Sequence, residues 1–154
     1  MIRVGDIGFA PAAALLAGHG LELQRVPDGE PIPGSFWGDC EAGLIATTVY
    51  ARADTPVHSL LHEAAHLLVM PEARRKTVHT DASDSQMEED AACYLQILLA
   101  DSLAGVGSAR LMNDMDAWGY TFRLGSARAW FENDAEDARA FVAALPLAPL
   151  SAPV

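Results

Sequence analysis

Hydrophobic and polar positions predict two strands and one short helix in the first third of the chain. "APAAALLAGHG" begins near Pro11 and ends in glycines, which predicts a helix over 11–18. "LELQRV" alternates apolar and polar residues as strands do, and "LIATTVYA", residues 44–51, is rich in β-branched residues and predicts the clearest strand. The segment between them is dense in proline and glycine, so we expect an exposed loop there.

Two long apolar helices are predicted next. Thr55 as N-cap and Pro56 in the first turn begin a helix that should run to Met70, with Pro71 beyond its end. A polar segment follows, and the apolar positions of "MEEDAACYLQILLADSLAG" then predict a second helix that ends at Gly105.

Shorter helices are predicted at 108–117 and 134–144, with aromatic residues packed between them. We therefore expect one α+β domain over 1–145, in which a short antiparallel sheet packs on the first long helix, and a flexible tail over 146–154. The aromatic residues expected between the C-terminal helices are Trp118, Tyr120, Phe122, Trp130 and Phe131.

Composition excludes several classes of protein. The 154 residues suffice for one hydrophobic core, and the net charge of −11 opposes binding to nucleic acid or anionic lipid. Apolar residues make up 51% of the chain, but no run approaches the roughly 18 that a membrane span needs. Asp6 ahead of a broken apolar stretch does not resemble a signal peptide, and two cysteines, Cys40 and Cys93, do not make a disulfide scaffold. We expect a cytoplasmic protein.

Three histidines and a glutamate in the first long helix carry the candidate chemistry. His62 and His66 lie one turn apart, about 6 Å along the axis, so both imidazoles can bind one ion. Glu63 projects about 100° around the helix from His62, where a general base acting on metal-bound water is needed. His58 lies about 12 Å from His66 along the axis, so we expect it to be a packed or rim residue. "HEAAH" thus fits the HExxH pattern of metal-dependent hydrolases.

A third protein ligand should come from the second long helix. Its first turns offer Glu88, Glu89 and Asp90, and the polar segment before them is long enough for the chain to reverse direction. An antiparallel return would bring one of these carboxylates to the two histidines and leave one metal position open for water.

The two segments together resemble a known family. "HEAAH" followed by "EEDAACYLQILL" is similar to the HExxH…ExxA arrangement of gluzincin-type metallopeptidases, and most of all to the ImmA/IrrE-like group. The resemblance spans about 44–100 and implies a small zincin-like fold, a zinc ion, and hydrolysis of a peptide bond in a protein or peptide substrate. It also implies that Glu88 is the third ligand, which leaves Glu89 and Asp90 as solvated acids at a helix N-terminus.

The resemblance has one departure. Such families often carry Asp or Asn four residues after the ligand glutamate, where this chain has Ala92, so Asp84, Asp90 or a backbone carbonyl would have to orient a ligand histidine. The strand over 44–51 offers an edge for an extended peptide. Candidates for stabilising the oxyanion are His79, Tyr120 and Arg123.

Two alternative functions stay open. "SLLHEAAHLLVMPEARR" is similar to the HExxH segment of bacterial elongation factor P hydroxylases, which implies Fe²⁺ as cofactor and gives Arg74 and Arg75 a substrate role. Otherwise these arginines and Lys76 form a solvated group beyond a helix C-terminus. The small size of the chain also suits a metal-binding regulatory module without catalytic turnover.

Overall fold

A computed structural model describes residues 1–82 and 85–147, and these residues form an α+β fold of eight helices and three strands. Residues 148–154, which make up most of the tail predicted to be flexible, lie outside the described part. None of the helices described is long and apolar enough to cross a membrane. The helices are α1 (Val4–Ile7), α2 (Phe9–Gly18), α3 (Val57–Val69), α4 (Glu72–Arg75), α5 (Gln86–Ala100), α6 (Gly107–Trp118), α7 (Ala127–Asn133) and α8 (Glu136–Ala143), and the strands are β1 (Glu22–Arg25), β2 (Gly43–Ile45) and β3 (Thr48–Ala51).

The sheet is mixed, with strand order β1-β3-β2. β3 pairs in parallel with β1 and antiparallel with β2, so the prediction of an antiparallel sheet is wrong for one of the two pairs. The single strand predicted over 44–51 is a hairpin of β2 and β3, which turns at Ala46 with φ of 51°. The sequence hides this turn because Ala46 adopts a left-handed conformation that glycine or asparagine usually takes.

The outer edge of β2 is occupied by other parts of the chain. The Leu44 N–H donates to the carbonyl of Gly34 at 3.2 Å, and the Leu44 carbonyl accepts from the Thr80 N–H at 3.0 Å. The Ala46 N–H donates to the Val78 carbonyl at 2.8 Å. An extended peptide therefore cannot pair with this edge unless the segment around Val78 moves.

Helix α3 lies in the centre of the molecule, between the sheet and α5. The helix begins at Val57 with Pro56 as its N-cap, so the prediction of Thr55 as N-cap is wrong by one residue. The Thr55 hydroxyl instead accepts from the Arg52 N–H at 2.9 Å. Its C-cap, Met70, is extended as expected before a proline. Most of its side chains are buried, including Leu60, Leu61, Ala64, Ala65 and Leu67.

Helix α5 runs antiparallel to α3, because its N-terminal residues contact the C-terminal half of α3 and its later residues contact the first turn. The Ser85 hydroxyl caps it by accepting from the Glu88 N–H at 3.1 Å. The helix ends at Ala100, five residues before the predicted end at Gly105, because the chain then forms turns closed by hydrogen bonds such as Leu103 N–H to the Ala100 carbonyl.

The C-terminal helices pack through aromatic residues, as predicted for four of the five. The rings of Phe122 and Trp130 lie 5.1 Å apart between centroids, and Phe131 stacks on Tyr94 of α5 at 4.6 Å. Tyr120 stacks on Phe122. Trp118 does not join these contacts and lies 38% exposed. Helix α7 has no predicted counterpart.

Candidate metal centre

Three side chains from α3 and α5 converge on one point. The Nε2 atoms of His62 and His66 lie 3.1 Å apart. One carboxylate oxygen of Glu89 lies 3.0 Å from His62 Nε2, and the other lies 2.8 Å from His66 Nε2. These are the only three His, Cys, Asp or Glu residues in the described chain whose ligand atoms cluster in this way.

The spacing and the donors of this cluster fit a divalent metal. Two nitrogens and an oxygen held at about 2.0–2.1 Å with tetrahedral angles lie roughly 3.3 Å from each other, close to the observed separations. Two imidazoles and a carboxylate are a donor set that zinc and ferrous iron both accept. His62, His66 and Glu89 are therefore the residues that can hold such an ion.

The electrostatics of the cluster also favour a cation between the rings. Burial opposes charge on Glu89, but its hydrogen bonds with His62 and His66 hold the pKa of this carboxyl well below its usual range. Burial would lower the pKa of His62, but Tyr120, Cys93 and Glu89 beside it raise that pKa well above its usual value. The surroundings of the cluster thus favour a positive charge there, which a proton or a metal cation could supply.

The structure brings Glu89, not the predicted Glu88, to the histidines. Glu88 forms an ion pair with Arg74, one bond of which measures 3.1 Å from Nη1 to Oε2. Glu89 is not the solvated acid expected, since its side chain is only 34% exposed and contacts both imidazoles. Asp90 is held by Gln86 Nε2 at 2.9 Å and does not reach them.

Both glutamates begin an ExxA pattern, so the motif alone does not distinguish them. Glu88 is followed by Ala91 and Glu89 by Ala92, each at the third position. The rotation of α5 decides, because Glu89 shares a helical face with Gln96, and Gln96 is fully buried against α3. The sequence alone carries no clear signal for this choice, because the burial of Gln96 results from packing against α3.

Gln96 holds the ring of His62. Its Oε1 lies 2.6 Å from His62 Nδ1, and its Nε2 donates to the His58 carbonyl at 3.1 Å. Because an amide oxygen only accepts, His62 must donate from Nδ1, and its Nε2 then faces Glu89 and His66. This glutamine takes the orienting role that the sequence assigned to Asp84, Asp90 or a backbone carbonyl. Asp84 itself lies outside the described residues.

His66 lacks such a partner in the part of the chain that the structure describes. Its Nδ1 is buried and makes no hydrogen bond to any described residue.

Glu63 lies beside the cluster, as predicted, and does not join it. Burial raises the pKa of its carboxyl to about 7, with His62 lowering it and the carboxylates of Glu89, Glu41 and Asp81 adding to the rise. A carboxyl with this pKa exchanges a proton readily near neutral pH, which is what a general base requires.

A cavity of about 630 Å³ opens onto the cluster. Residues from α3, α5, the end of α6 with the segment after it, and two loops line the cavity, so the candidate ligands and Glu63 share one accessible space. Its wall consists of Phe36, Trp37, Glu41, His58, Ser59, His62, Glu63, His66, Thr80, Asp81, Ala82, Glu89, Trp118, Gly119 and Tyr120.

His58 and Tyr120 form the inner wall of this cavity. His58 Nδ1 lies 3.1 Å from the Tyr120 hydroxyl, and the ring stays outside the ligand cluster as predicted. Burial, aided by nearby His62, lowers the pKa of His58 to about 4, so this imidazole is neutral. Burial raises the pKa of Tyr120 to about 12, so its hydroxyl keeps its proton and can donate a hydrogen bond.

The other two oxyanion candidates lie outside the cavity. His79 is exposed, with Nδ1 2.7 Å from the Thr80 hydroxyl. Arg123 forms an ion pair with Asp134, and its side chain is 79% exposed.

The two arginines after α3 make structural contacts. Arg74 pairs with Glu88, and Arg75 donates from Nε to the carbonyl of Leu67 at the end of α3. Both are half-buried, whereas Lys76 is exposed. These contacts fix α4 against the two long helices.

Comparison with protein-family models, curated proteins and solved structures finds no match. The resemblance to the ImmA/IrrE-like group thus stays a prediction from the residues of the two segments.

Proposed function

We propose that this protein is a zinc-dependent metallopeptidase with a zincin-like, ImmA/IrrE-type arrangement that hydrolyses a peptide bond in a protein or peptide substrate. The observation that carries the proposal is the convergence of His62, His66 and Glu89 within 3.1 Å of one another, beside Glu63 and inside an open cavity. The antiparallel pairing of α3 with α5 and the small sheet beside α3 support the zincin-like comparison. The unpaired state of Cys40 and Cys93 agrees with the expected cytoplasmic location.

The proposed chemistry assigns one task to each group. Zinc, when bound by His62, His66 and Glu89, supplies a Lewis acid that polarises a carbonyl and lowers the pKa of water. Glu63 accepts a proton from the attacking water and returns it to the leaving amine. Tyr120 keeps its proton and lies in the cavity wall, so it is the candidate donor to the carbonyl oxygen.

Iron-dependent hydroxylation remains the alternative because two histidines and a carboxylate also form the facial triad of non-haem oxygenases. The feature that favoured it, a substrate role for Arg74 and Arg75, is weakened because both arginines make structural contacts. A non-catalytic metal-binding module is the third reading.

Intact-mass analysis of substrate candidates distinguishes the metallopeptidase, the hydroxylase and the non-catalytic module. Cell lysate is incubated with zinc-loaded or iron-loaded protein and with the Glu63→Gln variant, which keeps every proposed ligand. Fragments that disappear with Glu63→Gln support the metallopeptidase. A gain of one oxygen seen only with iron and O₂ would replace it with the hydroxylase, and retained metal with a captured partner but no product would favour the module.

A further inference from the structure

Exposed aromatic residues concentrate at the mouth of the candidate site. Five large hydrophobic side chains in the described chain are exposed, and three of them, Phe36, Trp37 and Trp118, line the same cavity. Phe36 is 57% exposed and Trp37 78%, and their rings contact each other edge to face at 5.0 Å between centroids. Side chains of this size are seldom left in water together without a binding role.

The cavity wall is acidic. Glu41, Glu63, Asp81 and Glu89 line it, and no lysine or arginine of the described residues does. In the proposed function Glu89 binds metal and Glu63 transfers protons, so Glu41 and Asp81 are the carboxylates that this chemistry leaves unassigned.

Glu41 joins the acidic wall to the aromatic mouth. Its Oε1 accepts from Trp118 Nε1 at 2.9 Å, which fixes the carboxylate beside the indole ring. A carboxylate next to exposed aromatic rings is a combination that can bind ammonium and guanidinium groups, through charge-assisted hydrogen bonds and cation–π contacts.

A histidine deeper in the wall has a polar atom that a ligand could satisfy. His58 is 1% exposed and lines the cavity, yet its Nε2 makes no hydrogen bond within the described residues. A buried polar atom without a partner lowers stability, and a water or a polar group of a ligand would satisfy it.

The outer edge of β2 offers little to a peptide, because other segments of the chain already occupy it. A preference for one peptide over another would then come from the side chains of the cavity wall. We infer, resting on the proposed function, that the site selects a peptide segment carrying a lysine or arginine, whose cationic group binds Glu41 and the aromatic rings of Phe36, Trp37 and Trp118. The net charge of −11 would steer such a segment toward the protein.

Binding can be measured without turnover in the zinc-loaded Glu63→Gln protein. The probes are three pools of random octapeptides that differ only at one central position, which is Lys or Arg, Gln, or Glu. We expect the cationic pool to bind about tenfold more tightly than the glutamine pool at low salt, with the preference falling as ionic strength rises. Calorimetric titration measures each affinity.

Two additional charge variants test the residue assigned to the cation. Glu41→Gln keeps an acceptor for Trp118 and removes the charge. The ratio of affinities for the cationic and glutamine pools should therefore fall close to one. Glu30→Gln removes the same charge from an exposed position outside the cavity and should leave the preference unchanged. Trp37→Ala should weaken binding of the cationic pool about threefold or more. Melting curves check that each variant folds.

Equal or undetectable binding of the three pools, or an equal effect of Glu30→Gln and Glu41→Gln, would overturn the inference. These results are separate from those for the proposed function. Cleavage of lysate proteins with no cationic preference contradicts only the inference, whereas cationic preference with no cleavage by the wild-type protein contradicts only the metallopeptidase.

Discussion

The two halves of α3 carry histidines in opposite environments. In the first turn, His58 faces the hydroxyl of Tyr120, and burial keeps its ring neutral. One and two turns later, His62 and His66 face the carboxylate of Glu89, which favours positive charge between them. Residue type and helical spacing are the same in both halves, so the side chain supplied by the packed neighbour decides whether a histidine is structural or a candidate ligand.

The largest effect expected from this contrast is on metal content. His62→Ala and His66→Ala should each reduce bound metal from about one ion per chain to less than a tenth, since each removes one of three protein ligands. His58→Ala should retain the ion. Elemental analysis of protein purified without chelator or nickel affinity measures this, and loss of metal from His58→Ala would break the distinction between the two halves.

Removal of metal should lower the stability of the wild-type protein. The ion would join α3 to α5, and a ligand at 1,000 times its Kd stabilises the folded state by about 4 kcal/mol, or roughly 8–16 °C in Tm for a chain of this size. Scanning calorimetry with and without chelator gives the shift. The control variant His58→Gln should have a lower Tm both with and without chelator, but the difference between the two should stay the same as in the wild type. An unchanged wild-type Tm after confirmed metal loss would argue against a site between the helices.

The neutral His58 predicts loss of stability in acid. Its pKa is about 4 when folded and 6.5 in the unfolded chain, so below pH 6.5 the unfolded state binds a proton that the folded state excludes. This group's contribution is complete above pH 6.5 and falls by roughly 3 kcal/mol as pH drops to about 4.

Urea unfolding of metal-free protein across this pH range tests that expectation. The slope of stability against pH should be shallower in His58→Gln than in the wild type. Identical slopes would mean that His58 is not held neutral by burial.

A smaller effect is expected at Gln96, which connects the two halves of α3. Gln96→Leu removes the group that orients His62 and should weaken metal binding about tenfold to a hundredfold. Competition with a coloured chelator measures the affinity, and the visible spectrum of the cobalt-substituted protein should change because the His62 ring shifts. Gln96→Glu keeps an acceptor for His62 Nδ1. Its metal affinity and its cobalt spectrum should therefore be closer to those of the wild type than to those of Gln96→Leu. Equal loss in both variants would reduce Gln96 to a packing role.

The sequence predicts α3 well because local signals fix both of its ends. Proline at 56 and 71 limits the helix, and the four-residue spacing of His62 and His66 places them on one face whatever surrounds them. The hairpin of β2 and β3 was missed because Ala46 adopts a backbone conformation that its residue type seldom indicates.

The choice between Glu88 and Glu89 needed the rotation of α5, which long-range packing determines. Adjacent residues on a helix point about 100° apart, so the rotation of α5 about its axis determines which acid faces His66 and which faces Arg74. Neither Arg74 nor Gln96 marks its partner in the sequence, because both contacts join residues far apart along the chain.

The central claim, a metal held by His62, His66 and Glu89, is tested most directly by comparing two isosteric variants of neighbouring residues. Glu89→Gln should lose most of the bound metal while Glu88→Gln keeps about one ion per chain, with melting curves to show that both remain folded. Retained metal in Glu89→Gln together with loss in Glu88→Gln would contradict the account and restore Glu88, the ligand that the family resemblance implies.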